Sequence, residues 1–220
     1  MIGDALKNFF IAALMLLVIS GEVAANEKER VLIIGDSISL GYTPFVEKAL
    51  NDRAVIVHSI GNSQDSLNGV KNIDAWIGSE KWDMISFNFG LWDLCYRRPG
   101  PITQENRDKV NGSIAVPFDQ YEQNLTRIAE RLKKTGAKVI FQNTTVVPAN
   151  EPGRYAGDVE RYNRAAKAVM RRFDIKVNDL NAVSAKLPFE MRESDTDVHY
   201  TEPGYAELAK SVVQSIEPEL

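Results

Sequence analysis

Residues 31–39 read Val-Leu-Ile-Ile-Gly-Asp-Ser-Ile-Ser. A short, wholly apolar run such as Val31 to Ile34 suits a strand buried on both faces of a parallel sheet. Gly35 lets the chain bend as that strand ends, and Ser37 then stands at the entry to a helix. The first N–H groups of such a helix point into the space beyond the sheet. This is where a serine nucleophile is needed, although a serine there also serves as a plain helix cap.

Working outward, four more strand candidates follow: residues 54–60, 84–89, 138–144 and 175–180. Helical patterns lie between them. Phe118, Tyr121, Leu125, Ile128 and Leu132 recur at steps of three and four before Gly136. Asp158 reads as the N-cap of a helix turning Tyr162, Ala165, Ala166, Val169 and Phe173 inward. A last helix, opened by Thr201, Glu202 and Pro203, carries Tyr205, Leu208, Ala209, Val212, Val213 and Ile216 on one stripe. The alternation predicts an α/β fold: one three-layer α/β/α sandwich around a five-stranded parallel sheet. Ligands bind beyond the carboxyl ends of such strands. The longest irregular stretch runs from Leu94 to Val116, and segments of that length are usually functional or mobile.

Composition narrows the classes. The 220 residues carry a net charge of −4, with 25% charged and 44% hydrophobic side chains, which excludes a disordered chain. An acidic balance argues against nucleic acid as a partner. Cys95 is the one cysteine, so neither an internal disulfide nor a cysteine-rich zinc site is available.

Residues 9–20 read FFIAALMLLVIS behind Lys7, and Val23-Ala24-Ala25 follows. The run fits a signal-peptide core and is short of a membrane span. Cleavage before Asn26 is predicted, leaving residues 26–220 as the mature domain, periplasmic or secreted and without stable membrane association. The competing reading is an uncleaved anchor. The triplets beginning at Asn111, Asn124 and Asn143 match the glycosylation pattern, but so short a match carries no weight.

His58 and His199 are the two histidines. His58 falls inside a strand candidate and reads as a hydrogen-bonded core residue. His199, in Asp197-Val198-His199-Tyr200-Thr201, enters the final helix after a loop and can reach the cleft as a base for Ser37.

Taken together, these blocks resemble the SGNH hydrolases, also called the GDSL esterase/lipase family. Gly35-Asp36-Ser37-Ile38-Ser39 resembles the nucleophile block, Gly61-Asn62 the glycine block, Gly90-Leu91-Trp92-Asp93 the third block, and the stretch ending at His199 the last. They occur in family order across nearly all the mature chain. The resemblance implies a flavodoxin-like sandwich, Ser37 as nucleophile, His199 as base, and backbone N–H groups of Ser37 and Gly61 in an oxyanion hole. It implies no metal or cofactor.

Two positions depart from the family pattern. Trp92 stands where the third block has a hydrogen-bonding asparagine. Asn88, two residues before Gly90, is the expected substitute donor, with Asn143 as the weaker alternative. Thr196 stands where the triad aspartate belongs; Asp197 is favoured over Asp195 as the acid, with a backbone carbonyl also able to hold the imidazole. Asp36 and Asp93 are expected to cap turns and brace loops.

Trp92, Tyr96, Arg97 and Arg98 lie just beyond the third strand. Aromatic faces stack on sugars and arginine pairs with carboxylate or sulfate, so Trp92 and Arg97 are candidate substrate contacts. No long apolar lid is visible. The expected partner is a small-molecule or oligosaccharide ester, and the expected activity a carbohydrate O-acetylesterase. Two alternatives stand: a lipolytic or thioester acylhydrolase, and a carbohydrate-binding protein of the same fold with impaired turnover.

Overall fold

The computed structural model describes residues 27–220. The signal peptide and its cleavage point, expected over residues 1–25, lie outside these residues. Among the described residues, no helix is long and apolar enough to cross a membrane.

The apolar run becomes β1 (Glu29–Ile34), whose Val31 to Ile34 are almost wholly buried. The chain continues through α1 (Ser37–Leu50), β2 (Ala54–His58), α2 (Ser66–Ile77) and β3 (Met84–Phe87). A short ribbon, β4 (Tyr96–Arg97) and β5 (Ser113–Ile114), precedes α3 (Phe118–Lys133), β6 (Lys138–Gln142) and α4 (Ala156–Arg172). The chain closes with β7 (Lys176–Asn178), α5 (Leu180–Ala185) and α6 (Glu202–Ile216).

The main sheet runs in the order β2-β1-β3-β6-β7, with every pair parallel. α1 packs with α6 on one face, and α2, α3 and α4 pack in succession on the other. The expected three-layer sandwich is therefore present, with all five expected strands. Parallel strands sandwiched by helices see little solvent on either side, which is why Val31 to Ile34 of β1 are apolar and all of β3 is buried. In α3, Tyr121, Leu125, Ile128 and Leu132 are all buried. In α6, Leu208, Ala209, Val212 and Ile216 are buried, with Tyr205 and Val213 packed at the margin.

Chain direction across the sheet reverses at β1, which is flanked by β2 and β3. In open α/β sheets, that switch point is where ligands bind. Ile34 pairs with Phe87, so the turn carrying Ser37 and the loop following β3 leave the sheet side by side. The loop after β2 is tied to the same edge, because Ser63 N donates to Gly35 O at 2.9 Å. Gly90 is needed for close packing here, since a Cβ at that position would overlap Thr144 Oγ1.

Two sequence expectations change. Asp158 is not an N-cap: α4 starts at Ala156 after Tyr155, and Asp158 sits in its first turn, accepting from Tyr96 Oη at 3.2 Å. A carboxylate there still favours the positive end of the helix. The long stretch from Leu94 to Val116 is also more ordered than its composition suggests. β4 pairs with β5, Arg98 N donates to Asn106 O, and Asp108 N donates to Tyr96 O, each at 3.0 Å. Tyr96 N donates to Gly153 O at 2.6 Å and Lys109 N to Pro152 O at 2.8 Å, fastening the ribbon to the segment before α4.

Candidate active site

Ser37 opens α1. Asp36 caps that helix by accepting from Ile38 N at 3.0 Å. The Ser37 N–H lies in the first turn, where no intrahelical acceptor exists. His199 arrives from the loop before α6, which packs on α1. Its Nε2 lies 2.8 Å from Ser37 Oγ, and its Nδ1 lies 2.5 Å from Asp197 Oδ1. With Nδ1–H donating to the carboxylate, Nε2 is free to accept the serine proton. The same Asp197 oxygen accepts from His199 N at 3.0 Å, so a tight local turn fixes carboxylate and imidazole together. Burial pushes the Asp197 carboxyl upward, but the two hydrogen bonds from His199 outweigh it and hold it below the usual value. The structure thus joins Ser37, His199 and Asp197. Asp195 is elsewhere, accepting from Asn150 Nδ2 at 2.9 Å.

His58 ends β2 and is satisfied within the fold. Its Nδ1 donates to Ser59 O and its Nε2 contacts Ser39 Oγ, both at 2.7 Å. Burial lowers its basicity, in keeping with a neutral core imidazole.

The Ser37 hydroxyl opens into a cleft of about 270 Å³. Asn62, Trp92, Arg97, Arg107, Arg154 and His199 line it, and Ile102 to Gln104 form an outer wall. A larger open hollow of about 750 Å³ lies beside α4 and β7. It is lined by neither Ser37 nor His199, so the chemistry belongs to the smaller cleft.

Asn88 requires a correction. It is 9% exposed, its Nδ2 donates to Gln142 O at 2.7 Å, and it does not line the cleft. Its amide ties β3 to β6 behind the site. Asn143 is likewise engaged, donating to Asp179 Oδ1 at 2.7 Å and accepting from Asn181 N at 2.9 Å. Gly61 has φ +72°, the left-handed turn a glycine supplies, and sits exposed at the rim. Its neighbour Asn62 faces the cleft. Asn62 Oδ1 accepts from Gln64 N at 2.8 Å, whereas its Nδ2 has no hydrogen-bond partner among the described residues.

Trp92 and Arg97 both line the cleft, with the Arg97 guanidinium 5.2 Å from the indole centroid. Asp93 Oδ1 accepts from Ser66 N at 2.9 Å, bracing the third block against the start of α2. Arg107, Arg154 and Glu151 were not legible as site residues. Glu151 and Arg154 lie between β6 and α4, beyond the carboxyl edge of the sheet, and Arg107 lies between β4 and β5. Among the described residues, no group of three or more His, Cys, Asp or Glu side chains is gathered for a metal ion.

A flavodoxin-like sandwich with a Ser–His–Asp chain at its switch point is the architecture of a family of ester-cleaving hydrolases. Residues 33–207 match the GDSL-like lipase/acylhydrolase family, and the chain belongs to it. No curated protein sequence is matched. Among solved structures, an acetyl xylan esterase, AlAXEase, is similar with TM-score 0.68 and 15% identity, over 85% of this chain and 99% of that one. A lipase/acylhydrolase from Enterococcus faecalis has TM-score 0.71 and 18% identity, over 87% and 97% of the two chains. An acetyl xylan esterase from Geobacillus stearothermophilus has TM-score 0.65 and 20% identity, over 86% and 94%. At these identities the likeness is one of fold.

Proposed function

We propose that the chain is an exported serine esterase that removes short acyl groups, acetyl above all, from carbohydrate alcohols. The observation that carries this reading is the unbroken contact chain from Ser37 Oγ through His199 to Asp197 at a small cleft. Ser37 attacks the ester carbonyl as His199 takes its proton, giving a tetrahedral intermediate. The Ser37 N–H and the turn at Gly61 and Asn62 supply donors for its oxyanion. Donors held in place in this way each contribute about 10²–10³ in rate. His199 then protonates the leaving alcohol, and water, activated by the same imidazole, releases the acid. Asp197 holds the ring in the tautomer this cycle needs.

Substrate size follows from volume. A cleft of about 270 Å³, lined in part by Asn62, Arg97, Arg107 and Arg154, suits an acetyl ester on a sugar better than a long acyl chain. Two of the structures with this fold are acetyl xylan esterases, which supports the same choice. The test is hydrolysis of p-nitrophenyl esters from acetyl to octanoyl by wild type and Ser37→Ala. A rate that falls steeply with chain length and vanishes in Ser37→Ala is expected. Equal slow hydrolysis by both proteins would show a binding protein, and a preference for long chains a lipolytic enzyme.

A further inference from the structure

Three guanidinium groups crowd the cleft that holds Ser37 and His199. Arg154 is 4% exposed; its Nε donates to Leu91 O at 2.6 Å and its Nη1 to Glu151 Oε1 at 2.8 Å. Arg107 donates from Nε to Gln104 O at 3.1 Å and from Nη1 to the same Glu151 oxygen at 2.5 Å. Arg97 donates from Nη1 to Thr103 O at 2.7 Å and lies against Trp92. In all three, Nη2 makes no hydrogen bond among the described residues, and all three side chains line the cavity into which Ser37 opens.

Among the described residues, only one carboxylate, Glu151, pairs directly with any of them. Glu151 is wholly buried and is shared by Arg107 and Arg154. Arg97 has no carboxylate partner among the described residues. Asp36 is occupied as a helix cap, and burial raises its carboxyl above the usual range. Asp197 is committed to His199. The chain as a whole is acidic, at −4, so a cationic cleft is a local construction and not a surface-wide property. Holding like charges together in a partly desolvated space is unfavourable. Burial, with Arg154 and Arg107 nearby, depresses the basicity of Arg97. A bound anion relieves this cost, and planar guanidinium forks match carboxylate and sulfate oxygens.

We propose that the ester substrate carries an anionic group, a carboxylate or a sulfate, which the free edges of Arg97, Arg107 and Arg154 hold beside the Ser37 hydroxyl. This rests on the esterase reading and names its substrate class: acidic sugars bearing an acyl ester. Arg107 and Arg154 are pinned by Glu151 and form the fixed wall. Arg97, on the ribbon, completes the clamp.

The test compares acetylated methyl glucuronoside, an acetylated sulfated glycoside and acetylated methyl glucoside, using wild type and Arg97→Gln. Wild type is expected to favour one or both anionic esters in kcat/KM by about 10- to 100-fold, the range of a charge-assisted contact. Which anion is favoured separates carboxylate from sulfate. The preference should shrink towards unity in Arg97→Gln and weaken with added salt. Equal kcat/KM on charged and neutral esters, with hydrolysis still dependent on Ser37, overturns this inference alone. A second measurement needs no turnover: calorimetric binding of the same three ligands to Ser37→Ala. Tighter binding of an anionic ligand, lost in the Ser37→Ala, Arg97→Gln double variant, supports the anion site even if no ester is cleaved. Equal binding of charged and neutral ligands overturns it.

Discussion

Ser37 and His199 stand 162 positions apart in sequence, and the hydroxyl oxygen of one lies 2.8 Å from Nε2 of the other. The contact exists because α6 packs on α1, so the loops that open these two helices end at one edge of the sheet. Removing either partner disables the pair as a unit. Ser37→Ala and His199→Ala should each lower kcat for p-nitrophenyl acetate by about 10⁴-fold or more, and the double variant should lose little further. Additive losses in the double variant would show that the two side chains act separately.

Asp197 acts through the imidazole. Asp197→Asn leaves a hydrogen-bonding group in place but removes the charge, and should lower kcat by about 10²–10⁴-fold with KM little changed. The Asp197 carboxyl is held below its usual value. Its contribution to stability is therefore present above the unfolded carboxylate value and disappears only as pH falls through the lower folded one. Between pH 5 and 8 the carboxylate therefore stays charged. Steady-state kinetics of Asp197→Asn check its role: a kcat unchanged from wild type would contradict this assignment.

Asp93 predicts an opposite sign for stability. Burial pushes its carboxyl up to about 8, and Oδ2 has no hydrogen-bond partner. The folded state thus binds a proton more tightly than the unfolded chain, and this group's contribution declines as pH rises from about 4 towards 8. Asp93→Asn should flatten that decline in Tm measured from pH 5 to 8. A variant whose Tm runs parallel to wild type across the range would refute the assignment.

Asn88 and Asn62 separate structure from chemistry. Asn88→Ala removes the donor to Gln142 O and leaves a buried carbonyl unpaired, a loss of about 1–3 kcal/mol in stability. Asn62→Ala removes an Nδ2 donor that has no partner among the described residues, and should lower kcat by about 10-fold or more. Denaturant titration and steady-state kinetics on both variants check the split. A larger fall in kcat for Asn88→Ala would reverse the two roles.

Glu151 holds Arg107 and Arg154 together. Glu151→Gln leaves two partly buried guanidinium groups without their counter-charge and should reduce unfolding free energy by about 3–5 kcal/mol. Thermal denaturation with and without sulfate checks this; partial recovery of Tm by sulfate is expected, and a neutral substitution would remove Glu151 as the brace.

The resemblance in the sequence led to Asn88 because period-two spacing placed it on the Gly90 face. Spacing says which way a side chain points along an ideal strand. It does not say that β3 ends at Phe87, or that a neighbouring carbonyl at Gln142 will claim the amide. The choice between Asp197 and Asp195 was open for a related reason. Two-residue and four-residue offsets from a histidine are equally plausible in a loop until turn geometry selects one carboxylate.

Local patterns in the sequence were enough to establish the layered fold, the strand set, the serine turn and the histidine before the last helix. Those features depend on hydrophobic periodicity and turn chemistry over neighbouring residues. Tertiary structure alone decided that Arg97, Arg107 and Arg154 line one cavity, with Glu151 buried against two of them. Their approach depends on how an irregular ribbon docks against the segment before α4, and such contacts between distant, non-periodic stretches leave no local signature.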